Sequence, residues 1–291
     1  MKLTDLPPLL LISLVFGSSA NAGGVPKPRM SEVAFDGALG TGGFLAGRLG
    51  FGLGIDPQWR VVGSGAAARD PIGGTLDTDL RAGADAWFGD EFSLAFGLLS
   101  RGLGDTVRSF GAEFAGTQQV QRLWSGTRVT EVTARFSIES FHRQRDAFGQ
   151  ILSHGEAVRG TAIGVGLSRE ILDSLWISGA FDQVIYDNPS VMEALGTDRF
   201  FLAVPGDLSG FLPARTWSAE ALWSPVESWE LKVRYGATEP PEGHGDFLGT
   251  WTAAIRRSPS PSWSVGIEGS VAASAGARET AAAYLSGRLS W

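Results

Sequence analysis

The chain has 291 residues, 24 Lys+Arg against 31 Asp+Glu for a net charge of −7, 43% apolar residues, 40 glycines and no cysteine. So apolar a chain, with only 19% charged residues, is not disordered, and its acidic balance argues against nucleic acid as a partner. Lack of Cys excludes disulfides, thiolate metal sites, Cys nucleophiles and a lipid-anchored N-terminal cysteine.

Residues 1–22 read as a secretory signal peptide. Lys2 gives a weakly positive start, offset by Asp5; Leu9 to Phe16 supplies the apolar stretch, and Ala20-Asn21-Ala22 the small-x-small cleavage site. The apolar stretch is too short to cross hydrocarbon as a helix. A short periplasmic lead follows at 23–32, and 33–291 forms one domain. Beyond residue 22 no apolar run reaches membrane-helix length, so a mean hydropathy of +0.04 must be spread out. Alternation spreads it.

Leu45, Leu49, Phe51, Leu53 and Ile55 oppose Arg48, Gly50, Gly52 and Gly54. Leu80, Ala82, Ala84, Ala86 and Phe88 oppose Asp79, Arg81, Gly83 and Asp85, and Phe92, Leu94, Phe96 and Leu98 oppose Ser93 and Arg101. The stretch 112–124 alternates poorly and is still assigned as a strand. Val132, Ala134, Phe136 and Ile138 oppose Glu131, Thr133, Arg135, Ser137 and Glu139. Similar runs follow from Trp229, Phe247 and Trp263, and the last sets Ala281, Ala283, Leu285, Gly287, Leu289 and Trp291 against Ala282, Tyr284, Ser286, Arg288 and Ser290. Successive strand side chains point to opposite faces. Segments of about ten alternating residues separated by turns are the signature of a transmembrane barrel.

Tight connections fall at 56–58, 89–91 and 125–127, with slightly longer ones at 169–174, 224–228 and 257–261. Between them lie longer links near 68–76, 103–111, 141–158, 187–213, 238–245 and 273–278. Short turns on one rim and long loops on the other is the barrel arrangement. The reading is an all-β, antiparallel up-and-down transmembrane barrel of 12–14 strands, with fourteen preferred; twelve remain if 31–42 and 59–68 are not strands. A soluble barrel would turn its large apolar faces inward, but here the opposite faces carry Gly, Ala, Ser, Thr and charges. The ten Trp lie near strand ends, which suits interface girdles.

With its signal peptide, its strand repeat and a final strand ending on Trp291 after Tyr284, Leu285 and Leu289, the chain resembles bacterial outer-membrane β-barrel proteins. The resemblance implies that this ending is read by the barrel-insertion machinery. It also implies a Gram-negative outer membrane, outer-membrane lipids around the wall and both termini in the periplasm.

Lipid-facing apolar positions leave the others to the lumen. Asp36, Asp79, Asp85, Glu131, Glu139, Glu220, Glu230 and Glu268 then face Arg48, Arg81, Arg101, Arg135, Lys232, Arg234, Arg256 and Arg288, a balanced interior. Balance predicts weakly selective passage of small solutes, or cross-strand ion pairs that only hold the wall. The apolar loop 187–213, with a helix start at Pro189-Ser190, is expected to fold into the mouth or pack over the rim. His142, His154 and His244 are irregularly spaced, so neither a metal nor a cofactor is expected. Ser140 and His142 continue the lipid-facing register of Val132 to Ile138. A Ser nucleophile and His base at the outer leaflet would suit a lipid hydrolase, although outer-membrane phospholipases and lipid A deacylases run His-x-Ser and this segment runs Ser-x-His. Glu139 and Asp146 are the candidate third members. The preferred function is a passive, porin-like channel; the alternatives are a barrel anchor with interacting loops and no transport, and the hydrolase.

Overall fold

The computed structural model describes residues 31–40, 45–69, 76–89, 91–103, 107–120, 129–143, 157–172, 174–187, 203–204, 207–208, 214–239, 248–274 and 280–291. The expected signal peptide and periplasmic lead lie outside these, apart from the end of that lead. Fourteen antiparallel strands close into one barrel. They are β1 (Glu32–Gly40), β2 (Leu45–Gly54), β3 (Trp59–Arg69), β4 (Leu76–Phe88), β5 (Phe92–Leu103), β6 (Val107–Gln119), β7 (Thr130–Arg143), β8 (Ala157–Leu172) and β9 (Leu175–Tyr186), then β12 (Arg215–Val226), β13 (Trp229–Glu239), β14 (Leu248–Ser260), β15 (Trp263–Ser274) and β16 (Thr280–Ser290). Two two-residue strands, β10 (Ala203–Val204) and β11 (Asp207–Leu208), pair with each other between β9 and β12. No helix occurs among the described residues.

The ring closes where β1 pairs with β16, from Glu32 opposite Ser290 to Gly40 opposite Ala282. Ser31 and Trp291 exchange both backbone hydrogen bonds at 2.9 Å, extending that seam. Closure satisfies the backbone polar groups that hydrocarbon could not solvate. Because the number of barrel strands is even, both ends of the described chain lie on the rim with the short turns.

Both segments whose loss would reduce the count to twelve are strands, β1 and β3. Some connections are shorter than the sequence predicts. β6 starts at Val107, so most of the link expected at 103–111 belongs to the wall; Gly111 there, and Gly102 just before it on β5, hid the alternation. β8, β12 and β14 likewise run on to Leu172, Val226 and Ser260, with register shifts just before their turns. Gly89, at φ 70°, makes the 89–91 turn. The connection at 125–127 lies outside the described residues.

The apolar face is outside. Leu49, Phe51, Leu80, Phe96, Phe136, Ile163, Ile177, Ile267 and Leu285 are among the exposed large side chains, and every barrel strand contributes outward apolar positions. Trp59, Trp223, Trp229, Trp263 and Trp291 form a girdle outside the short-turn rim. Trp87 and Trp176, at the same height, turn inward and are buried. Those two depart from the girdle expectation because each falls on the inner register, opposite Ser93 and Leu222. Trp124 lies outside the described residues.

Candidate functional site: the lumen wall

Alternation carries every charge singled out from the sequence onto the inner wall: Asp36, Arg48, Asp79, Arg81, Asp85, Arg101, Glu131, Arg135, Glu139, Glu220, Glu230, Lys232, Arg234, Arg256, Glu268 and Arg288. Each shares its side of the sheet with small or polar residues, while its neighbours in sequence face out.

The wall from β3 to β7 is a network of ion pairs. Arg81 grips Asp79 with Nε at 3.0 Å and Nη2 at 3.1 Å, a bidentate pair, and approaches Glu113 at 3.8 Å. Arg101 bridges Asp79 and Glu139, each at 3.3 Å, and Ser109 donates to Glu139. These side chains are nearly buried. Bidentate geometry and shared partners offset the desolvation that such burial costs. Towards the short-turn rim Arg60 joins Asp85 at 2.6 Å to Glu32 at 3.2 Å, and stacks over Trp87 with its guanidinium 5.5 Å from the ring centroid.

Elsewhere the pairs are sparser. Arg135 holds Asp182 at 2.9 Å across Gly164, and Thr216 also donates to that carboxylate. A Cβ at 164 would collide with Asp182, so glycine makes room for the pair. Lys232 meets Glu268 at 3.2 Å, Arg256 meets Glu230 at 3.3 Å and Arg288 reaches Glu32 at 3.5 Å. Apart from Asp36, Arg48 and Tyr284, the inner positions between these on β14 to β16, β1 and β2 are small: Ala34, Ala46, Gly50, Thr252, Ala254, Gly266 and Ser286 among them.

The sequence reading missed Glu32, Arg60, Asp77, Glu113 and Asp182, all on the inner wall. Glu32 sits at the edge of the expected lead, and Arg60 and Glu113 lie in the stretches whose alternation was in doubt. With Glu170, opposite the inward Trp176, that makes five more acids and one more base, so the described side chains of the interior number thirteen carboxylates against nine cations and the eight-against-eight balance is corrected to an acidic excess. The wall also carries apolar positions that alternation alone would have shown: Leu99, Val107, Phe141 and Val158 are buried on the inner side of β5 to β8.

Of the C-terminal residues, Leu285, Leu289 and Trp291 are exposed outside, whereas Tyr284 is buried within, hydrogen-bonded to Ser270 at 3.3 Å. Ser140 and His142 lie on the outer face of β7, opposite Phe110 and Arg108. Among the described residues no hydrogen bond joins them. Glu139 points to the other side, engaged by Arg101 and Ser109, so it does not orient His142. Asp146, His154 and His244 lie outside the described residues, as does most of loop 187–213, including its expected helix. Within that loop β10 lies against β2 and β3, on the opposite side of the ring from β9 and β12, which carry the loop's ends. No group of acidic and His side chains suited to a metal occurs among the described residues.

No protein-family model matches the sequence, and no curated protein is similar to it. Among solved structures, the CymD monoaromatic hydrocarbon channel superposes with a TM-score of 0.52 at 9% identity, over 90% of this chain and 88% of its own. CdiB from Acinetobacter baumannii gives 0.51 at 11% identity, over 92% of this chain and 60% of its own. At such identities the likeness is one of fold, and the fold is that of outer-membrane β-barrels.

Proposed function

We propose that this barrel is an integral outer-membrane channel: a passive, weakly selective, porin-like path for small polar solutes, with a slight preference for cations. The observation that carries the reading is the small-residue inner wall of β14 to β2 in a ring of fourteen strands. At about 4.8 Å between strands and about 40° of tilt, such a ring is about 28 Å across its backbone, well beyond the eight-stranded size that side chains fill. Glycine, alanine, serine and threonine cannot close that width. The paired charges keep the field modest, and the acidic excess sets its sign.

The apolar exterior and its Trp girdle support insertion in a membrane. The outward Leu285, Leu289 and Trp291 suit recognition by the insertion machinery, with both termini in the periplasm. β10, set against the wall facing its own stems, is read as part of a constriction.

Single-channel conductance of the purified, refolded protein in a planar bilayer tests this. Steady ohmic steps that grow when residues 190–210 are removed are the expected result. Silence in both forms would overturn the channel. It would favour the second reading, a barrel anchor with interacting loops, for which the buried ion pairs of β4 to β7 speak.

A further inference from the structure

We infer that the outer face of β6 to β8 binds the phosphate-bearing headgroup of an outer-leaflet glycolipid, through Arg108, His142 and Arg159. This rests on the membrane placement of the barrel and not on whether its lumen conducts.

The three residues come from adjacent strands on one face. Arg108 stands opposite His142, and Arg159 stands opposite Ser140, one outward position below His142. Arg108 and His142 hold the last outward positions of their strands before the long-loop rim, and on β8 Ala157 is the only outward position between Arg159 and that rim. The apolar band ends just beneath them, at Phe110, Ile138 and Ile163. On β1, β2, β4 and β9 that band continues towards the rim, through Leu39, Leu45, Leu76 and Ile185, with Leu39 69% and Ile185 61% exposed. At β6 to β8 the interruption is cationic and spans three adjacent strands, whereas the outward Arg69 of β3 stands between Leu45 and Leu76.

The charges there are uncompensated among the described residues. Arg215, another outward arginine at this height, is paired with Glu239 at 3.3 Å. Neither Arg108, His142 nor Arg159 has a carboxylate partner among the described residues. Asp187 accepts the backbone N–H of Arg159 at 2.8 Å. Arg108 lies over Gly102 beside Thr78, in space that a side chain at 102 would occupy. The patch thus spreads donors from Thr78 through Arg108 and Ser140 to Arg159. An apolar wall for acyl chains lies below and cations lie at headgroup height, the complement of a phosphorylated amphiphile.

The test uses the full-length chain, refolded and placed in phosphatidylcholine nanodiscs carrying a trace of diphosphoryl lipid A. Lipid A retained per barrel after detergent exchange is measured by mass spectrometry. Wild type is expected to retain it, and the Arg108→Gln/Arg159→Gln double variant to lose about tenfold. Arg215→Gln is expected to match wild type. Unchanged retention in a double variant that keeps its heat-modifiable mobility would overturn the proposal, and so would equal retention of dephosphorylated lipid A. Displacement by millimolar inorganic phosphate would assign the patch to free phosphate instead and overturn the lipid as its ligand. Conductance of the same variants is expected to be unchanged, which separates this site from the lumen.

Discussion

The ring of Phe35 on β1 occupies the space that a side chain at Gly287 on β16 would need, directly across the seam that closes the barrel. The same device recurs between β2 and β3, where a Cβ at Gly63 would lie 2.5 Å from the ring of Phe51. Each pair puts an aromatic on a neighbouring glycine and smooths the lipid-facing surface. Gly287→Val is expected to destabilise the folded barrel by about 1–3 kcal/mol, the usual cost of overpacking. Equilibrium urea unfolding in lipid vesicles measures it. Phe35→Ala placed on the same chain should recover much of the loss, because the clash has then gone; an undiminished loss would place the cost elsewhere.

Gly287 also marks what was legible in the sequence. Alternation located the apolar faces, the inner charges and the fourteen strands, because a strand with one face in lipid and one in water must carry that contrast in every second residue. Gly287 is a weak link in the apolar pattern without breaking it, and only its neighbour across the seam gives it a reason. The misses share a cause. Gly111 hid the start of β6, and the poor alternation after residue 112 hid the facing of Glu113; Arg60 sat in a strand of small residues whose faces differ little. The inward Trp87 and Trp176 could have been read from alternation, but their position near strand ends suggested the girdle instead. The crossing of β10 to β2 and β3 depends on a contact between distant segments, which no local pattern encodes.

Arg101 links two acids that are nearly buried, at 13% and 14% exposure for Glu139 and Asp79. Asp79 keeps Arg81 when Arg101 is lost, but Glu139 keeps only the Ser109 hydroxyl among its described partners. Arg101→Gln should therefore cost about 3 kcal/mol, the lower end for removing one partner of a buried pair. Arg215→Gln breaks a pair that is half exposed and should change stability by no more than about 0.5 kcal/mol. Comparable losses in the two variants would contradict the burial of the β4 to β7 network.

The acidic excess fixes the sign of ion selectivity. Under a salt gradient the reversal potential should take the cation-selective sign, and raising both salt concentrations should shrink it as the Debye length falls from about 10 Å at 0.1 M to about 3 Å at 1 M. Glu131→Gln/Glu220→Gln removes two inner carboxylates, on β7 and β12, and should move the potential towards zero. Anion preference in wild type would mean that the missing charges lie in loops at the mouth and outweigh the wall.

Ala253 and Ala254 are the same residue type, adjacent on β14, and face opposite ways: Ala253 pairs with Gly269 on the outside, and Ala254 pairs with Glu268 on the inner wall. The chain has no cysteine, so a single introduced thiol is read without background. In lipid vesicles, Ala254→Cys should react with a charged, water-soluble thiol reagent, because Lys232 and Glu268 beside it need water or each other. Ala253→Cys should be protected by acyl chains and become reactive only after unfolding. The reverse pattern would turn the barrel inside out and make it a soluble protein. Protection of both would leave the membrane barrel standing with a dry lumen, and the channel would fall with it.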